Sequence, residues 1–261
     1  TAADGWSVVP LPGFGAAWQP LKELSFLAGV HRGFSPLAPG QAAGTLPEDS
    51  VNVELGGRWK GRRGRAELIG FFNRYSNIVG TCTGSSGCSD DQLNVQFNGG
   101  AANVGGLEAS GGVRGKFGDF SLSADGSYTL TVARFASSFS SGFTQFGNVH
   151  EGDDLPYVPM HTAGLTLGLE HDFGRATLAA TYVSAMRDHA GQGAGRLGDF
   201  TEAQLLVDAS FSVRLIGHLF LTAKVTNLLN SAYVVSYRPF GARPNAPVTA
   251  MAGLTWDLDG R

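Results

Sequence analysis

The 261 residues include 38 glycines and only 3 methionines, 16% of them are charged, and the formal net charge is −3. That composition does not suit a helical protein, and the weak negative charge, with no basic run, gives no sign of a nucleic-acid partner. No apolar run reaches the ~20 residues of a membrane-spanning helix; among the longest is Leu68-Ile69-Gly70-Phe71-Phe72.

The chain opens Thr1-Ala2-Ala3-Asp4, without an initiator Met or a signal-like stretch, so it reads as a piece of something longer. In chain order, alternating apolar and polar positions predict strands over 12–19, 23–33, 49–60, 64–79, 101–116, 119–132, 157–172, 175–186, 202–215, 218–227 and 247–258. Tight joints fall at Pro20-Leu21-Lys22, Lys60-Gly61-Arg62-Arg63, Phe117-Gly118-Asp119, Asp172-Phe173-Gly174 and Ile216-Gly217-His218. Long polar loops take the other joints, over 34–48, 80–100, 133–156, 187–201 and 228–246. A meander whose two ends differ this much meets two environments. An outer-membrane barrel, with short periplasmic turns and long outer loops, is the best-known physical reason.

The period of two is strict. Over 120–132, Phe120, Leu122, Ala124, Gly126, Tyr128, Leu130 and Val132 alternate with Ser121, Ser123, Asp125, Ser127, Thr129 and Thr131. Val51, Val53, Leu55 and Trp59 oppose Asn52, Glu54, Gly56 and Arg58 in the same way. So do Leu205, Val207, Ala209, Phe211 and Val213 against Asp208, Ser210, Ser212 and Arg214. Periodicity alone fits two cases: a soluble sandwich with the apolar face inside, and a membrane barrel with that face on lipid. Three features favour the barrel. The strands approach ten residues, where sandwich strands average about five or six. The apolar face mixes Ala and Gly with Leu and Val, and lipid does not demand jigsaw packing. Aromatics recur near strand ends, at Phe14, Trp18, Trp59, Tyr128, Tyr182 and Trp256, as an interfacial girdle would. The expected fold class is therefore all-β, an antiparallel transmembrane β-barrel meander of about eleven strands. An odd count would bring the first and last strands together in parallel, whereas bacterial barrels are even. The economical reading is the C-terminal half of a barrel of about twenty-two strands.

Cys82 and Cys88 bracket Cys-Thr-Gly-Ser-Ser-Gly-Cys inside one loop. Such a loop can close into a disulfide, which implies an oxidising compartment. Two unpaired thiols are the competing reading, because spacing does not report oxidation. A zinc site would need further ligands nearby, and none stands at the usual spacing.

The run Ala28-Gly29-Val30-His31-Arg32-Gly33-Phe34-Ser35-Pro36 resembles a mid-barrel signature of TonB-dependent outer-membrane receptors, nearest the ferric-dicitrate branch. Similar matches follow in order at Glu48-Asp49-Ser50, over 70–77, at Phe97-Asn98-Gly99-Gly100-Ala101 and at Val104-Gly105-Gly106-Leu107-Glu108. Near the end, Val225-Thr226-Asn227-Leu228-Leu229-Asn230, Tyr233 and Arg238-Pro239-Phe240-Gly241-Ala242-Arg243-Pro244 resemble the family's last loop. The resemblance implies that residues 1–261 form the C-terminal part of a receptor barrel, without its plug domain, TonB box and first half. It implies a Gram-negative outer-membrane location and active import, not catalysis. The cargo would be a ferric siderophore or ferric citrate, carried with no resident cofactor. The partners would be outer-membrane lipid and, through the plug, the TonB complex.

Ferric chelates such as dicitrate are anionic and rich in oxygen acceptors, so they call for arginine forks and amide donors at the mouth. The candidates on loops and rims are Arg32, Gln96, Asn98, Arg238, Arg243 and Asn245. Polar-face charges (Glu54, Glu67, Glu108, Asp125, Glu170 and Asp208 against Arg58, Arg114, Arg214 and Lys224) are expected to pair across strands or hold the plug. No nucleophile elbow, phosphate loop or Cys–His constellation appears. The final strand is expected to close on Leu258, where receptors of this kind usually carry an aromatic. Two rival classes are a passive porin or autotransporter-type barrel and a soluble all-β binding module.

Overall fold

A computed structural model describes residues 8–42, 44–84, 88–142, 146–196 and 198–257. Eleven strands lie in one antiparallel sheet, each beside its chain neighbour. They are β1 (Gly13–Leu21), β2 (Leu24–Ser35), β3 (Glu48–Lys60), β4 (Gly64–Asn77), β5 (Ala102–Phe117) and β6 (Phe120–Phe135). Then come β7 (His161–His171), β8 (Gly174–Val183), β9 (Gln204–Ile216), β10 (Leu219–Thr226) and β11 (Thr249–Trp256). The expected count and the short–long alternation of joints are both present. At the short end, Gly118 (φ 59°) and Gly217 (φ 52°) take the left-handed conformation that two-residue hairpin turns require.

Register turns sequence alternation into two faces. Ala109, Tyr128, Ala163, Tyr182 and Leu205 are successive cross-strand partners from β5 to β9. One step along, the row is Glu108, Thr129, Thr162, Val183 and Gln204. A slip of one residue would exchange these rows, so the pattern fixes the pairing.

Among the described residues no second layer covers either face. Leu55 is 67% exposed, Leu68 51% and Leu165 47%. In water each such side chain forgoes about half to two-thirds of the roughly 1.5–3 kcal/mol that full burial supplies; against hydrocarbon it does not. Among the described residues the buried apolar side chains are Cys82, Ala102, Ala133, Phe135 and Val149, all at or beyond the loop ends of strands. A soluble sandwich would bury the Leu/Val face instead. Trp18, Trp59, Trp256, Phe117 and Phe120 mark the turn end of the apolar face, and Phe72, Tyr128 and Tyr182 mark the loop end. Phe120 and Tyr128 lie on one strand, and their separation at ~3.3 Å per residue and ~40° tilt spans roughly 20 Å, near the apolar height of such barrels.

Several expected boundaries move. The strand placed over 157–172 begins at His161, because Tyr157 (φ 58°) turns into the mouth described below. The one placed over 64–79 ends at Asn77, whose amide Nδ2 donates to the Leu46 carbonyl (3.0 Å). The long loops carry small ladders of their own: Val79–Thr81 with Gln96–Asn98, Phe139–Ser140 with Asn148–Val149, and Val234–Ser236 with Arg243–Pro244. Leu258 lies outside the described residues.

Candidate functional site: the loop-bearing mouth

The long loops gather at one end and lock to one another in two groups. In the first, the 36–47 loop is stitched to the 78–101 loop by side-chain amides. Gln96 Oε1 accepts from the Ala38 N–H (2.7 Å), and Gln41 Oε1 accepts from the Gln96 N–H (2.6 Å). Asn98 Oδ1 accepts from the Leu46 N–H (2.9 Å) and from Asn77 Nδ2 (3.3 Å). Beyond them Cys82 and Cys88 are joined as a disulfide, Cα atoms 5.8 Å apart. Phe97, Phe135, Phe139 and Phe146 form an aromatic cluster with ring centroids 5.4–6.2 Å apart, linking this group to the 136–160 loop.

The second group joins the loops 136–160, 184–203 and 227–248. Its centre is Asp188, 11% exposed, which accepts from Arg238 Nη2 (3.1 Å) and from the Tyr157 hydroxyl. Tyr157 Oη also meets Ser236 Oγ (3.0 Å). Burial, and next the bond to Asp188, hold the Tyr157 phenol above its ordinary pKa, so it stays a donor. Beside it Asp154 accepts from both Arg134 (3.2 Å) and Arg187 (3.4 Å). The Arg187 guanidinium also lies 4.6 Å from the Phe200 ring centroid. His189 stands between Asp188 (3.9 Å) and Asp199 (3.7 Å).

Asn227 explains the local motif Thr226-Asn227-Leu228-Leu229-Asn230. Its side chain donates to the carbonyls of Ser231 (2.9 Å) and Ala246 (3.0 Å), and accepts from the Ser231 N–H (3.0 Å). It thereby closes the last loop where β10 ends.

The sequence candidates land differently. Arg238 sits in the second group, engaged with Asp188. Gln96, Asn98 and Asn245 spend hydrogen-bonding capacity on holding loops; Asn245 Oδ1 accepts from Tyr233 N–H (2.7 Å) and Nδ2 donates to the Ser231 carbonyl (3.1 Å). Arg243 is exposed and makes no ion pair among the described residues. Arg32 points to the apolar face, level with Val51 on β3, and forms a two-toothed ion pair with Asp49. Sequence reasoning missed Tyr157, Asp188, Asp154 and Ser236, which lie far apart in the chain.

On the polar face, Arg58 pairs with Glu67 opposite it. Arg65 reaches Asp125 (2.6 Å) across Gly112, the residue between them on β5. A side chain at Gly112 would collide with the Asp125 carboxylate, so the absent Cβ makes the bridge possible. Near the turns, a concavity of ≈ 610 Å³ is lined by Arg62, Arg63, Arg114 and Lys116 with Glu170. A concavity of ≈ 910 Å³ lies on the apolar face among Leu122, Leu167, Leu178 and Phe211, where lipid would fill it. Among the described residues no three His, Cys, Asp or Glu side chains converge as metal ligands.

A family model described as TonB dependent receptor-like, beta-barrel, matches residues 2–228. No curated protein sequence matches the chain. Solved structures share the fold. One is the ferric-catecholate import receptor Fiu of E. coli K12, with TM-score 0.66 and 20% identity over 93% of this chain and 34% of that one. Another is the ferric yersiniabactin uptake receptor FyuA of Yersinia pestis, with TM-score 0.67 and 19% identity over 94% of this chain and 36% of that one. A third is the ferric citrate transporter FecA in its unliganded form, with TM-score 0.69 and 19% identity over 94% of this chain and 38% of that one. The chain thus spans little more than a third of the length of these receptors, and at these identities the likeness carries the fold alone. With its family model matched across most of its length and its eleven-stranded sheet greasy on one side, this chain belongs to the TonB-dependent receptor β-barrels of the Gram-negative outer membrane.

Proposed function

We propose that the chain is the C-terminal half of a barrel of about twenty-two strands that imports a ferric chelate, ferric citrate or another siderophore complex. TonB supplies the energy through a plug domain elsewhere in the protein. The observation that carries this reading is the mouth, where Arg187 and Arg238 from separate long loops are oriented by Asp154 and Asp188, with exposed Arg243 on the last loop, above a lumen wall that is itself basic near the turns. An anionic chelate rich in oxygen acceptors is drawn to such a surface by charge-assisted hydrogen bonds. Arg243 and Arg238 on the last loop are the chelate contacts this half supplies, with Gln96, Asn98 and Asn245 shaping the loops around them. Arg32 serves the rim. The disulfide stiffens the 78–101 loop in an oxidising compartment. No bond in the cargo is broken, so the barrel is a carrier and not an enzyme. Neighbours named for a catecholate, for yersiniabactin and for citrate share the scaffold, which favours an iron chelate as the class.

The test is uptake of radiolabelled ferric citrate, ferric catecholates and ferric hydroxamates by iron-starved cells that carry the full-length receptor as their only one. Uptake of one chelate that vanishes without TonB is the expected result. Uptake that persists without TonB, or steady ion conductance in planar bilayers, would replace the proposal with a passive channel.

A further inference from the structure

We propose, on the strength of the carrier reading above, that the lumen wall of β8–β10 near the turns holds a free carboxylate of the chelate on its way out. Register builds this second site. On the polar face Thr177, Ser210 and Lys224 are successive cross-strand partners, and the row nearer the turns is Arg175, Ser212 and Thr222. The six positions form a grid three strands wide and two rows deep. Arg175 and Lys224 take opposite corners, and hydroxyls fill the other four places. With strands ~4.8 Å apart and a rise of ~3.4 Å per residue, the Cα atoms of the two cations stand about 12 Å apart. Ser210 and Ser212 lie between them, and all six side chains line a concavity of ≈ 340 Å³.

The protein does not neutralise this patch. Further round the wall Arg58 pairs with Glu67, and Arg65 with Asp125. Arg175 and Lys224 are exposed and make no ion pair among the described residues, and no carboxylate lines their concavity. The nearest in register are Glu170, opposite Arg175, and Asp208, two residues from Ser210. Asp208 Oδ1 accepts from the Asn227 N–H (2.9 Å). Glu170 also lines the neighbouring concavity, where Arg62, Arg63, Arg114 and Lys116 already outnumber it.

The donor set selects the ligand. Thr222 Oγ1 donates to the Gly253 carbonyl (3.1 Å). The hydroxyls of Thr177, Ser210 and Ser212 have no partner among the described residues, so each is free to donate. A guanidinium, an ammonium and hydroxyls around one point make charge-assisted bonds to an oxyanion. A cation would meet two like charges there, and an apolar ligand would strand the hydroxyls. A carboxylate that the iron leaves free is such an oxyanion. A tris-catecholate, whose anionic oxygens all bind the metal, offers none. Arg175 is the second residue of β8, beside the turn that opens the strand, and short turns of such barrels face the periplasm. The site therefore stands at the exit, below the mouth.

The experiment is competitive acetylation of the purified full-length receptor, read residue by residue in a mass spectrometer, with iron-free citrate as the probe. Citrate should slow acetylation of Lys224 several-fold and leave exposed Lys22 unchanged. A ferric tris-catecholate should protect neither. Arg175→Gln should abolish the protection, and Arg175→Lys should keep most of it. Arg175 breaks no ion pair when replaced, and heat-modifiable electrophoretic mobility reports assembly. In iron-starved cells Arg175→Gln with Lys224→Gln should lower the maximal rate of TonB-driven ferric citrate uptake roughly tenfold, with half-saturation unchanged. Equal protection in assembled Arg175→Gln, equal protection of Lys22, or an unchanged maximal rate would overturn the proposal. So would a Lys224 that resists acetylation with and without citrate, because protein, the plug above all, would then cover the site. Wild-type cells that import no chelate would sink the carrier reading instead, and protection at Lys224 reads the site apart from transport.

Discussion

The wall and the mouth of this protein are held together by different physics. In the wall, cohesion comes from backbone ladders, and side chains on both faces stay uncovered by protein; the solvent on each side decides what each face tolerates. At the mouth, side chains bury one another; buried Arg187 and Asp188 are satisfied by partners from other loops, and buried Thr201 and Asn227 by partners across their own loops. The first region is specified by a repeating local pattern. The second is specified by individual long-range contacts.

The largest test of this contrast is a charge placed on either side of the wall. Leu165→Arg puts a guanidinium on the lipid face of β7 and should destabilise the folded barrel by about 2–4 kcal/mol. Thr166→Arg, one residue along and lumen-facing, should cost much less. Equilibrium unfolding in urea from lipid vesicles measures both, and equal losses would break the distinction.

At the mouth, Asp188→Ala removes the carboxylate shared by Arg238 and Tyr157. The expected cost is about 1.5–3 kcal/mol, confined to the three loops it joins. Hydrogen exchange should accelerate over 136–160, 184–203 and 227–248, while amides of β5–β8 keep their protection. Acceleration that spread through the strands would show that mouth and wall form one cooperative unit.

Replacing both cysteines by serine opens a short loop, for which chain entropy gives about 2 kcal/mol. Limited proteolysis should cut between β4 and β5 faster, with the thermal transition of the barrel unmoved. A shift of that transition would place the disulfide in the global fold.

The smallest effect is at Tyr157. Its phenol pKa is raised, chiefly by burial, so the fold favours the neutral form. That stabilisation is whole below the unfolded value of about 10 and disappears as pH climbs through the higher folded value. Ultraviolet absorbance titration of wild type against Tyr157→Phe should show the missing tyrosine to be one that ionises late.

Strands and turns were legible because side-chain direction in a strand alternates with period two, a property carried by each short segment. The same parity holds the placement of Arg32. It shares its face with Phe26, Ala28 and Val30, so alternation already points it outward, although its neighbourhood in the family-like run suggested a ligand contact. Gln96 and Asn98 were recognisable as loop amides, but their partners, Ala38 and Leu46, lie 58 and 52 residues away. No local rule names those partners.

By itself, the sequence determined an eleven-stranded meander with one greasy face, one wet face and two unlike ends, because hydrophobic periodicity and turn chemistry act over a few residues. Only the tertiary structure decided which loops lock together. Tyr157 meets Ser236 across 79 residues of chain, and Arg134, Arg187 and Asp154 converge from separate loops and strands. Such contacts depend on the register and curvature of the whole sheet, which set where each loop begins.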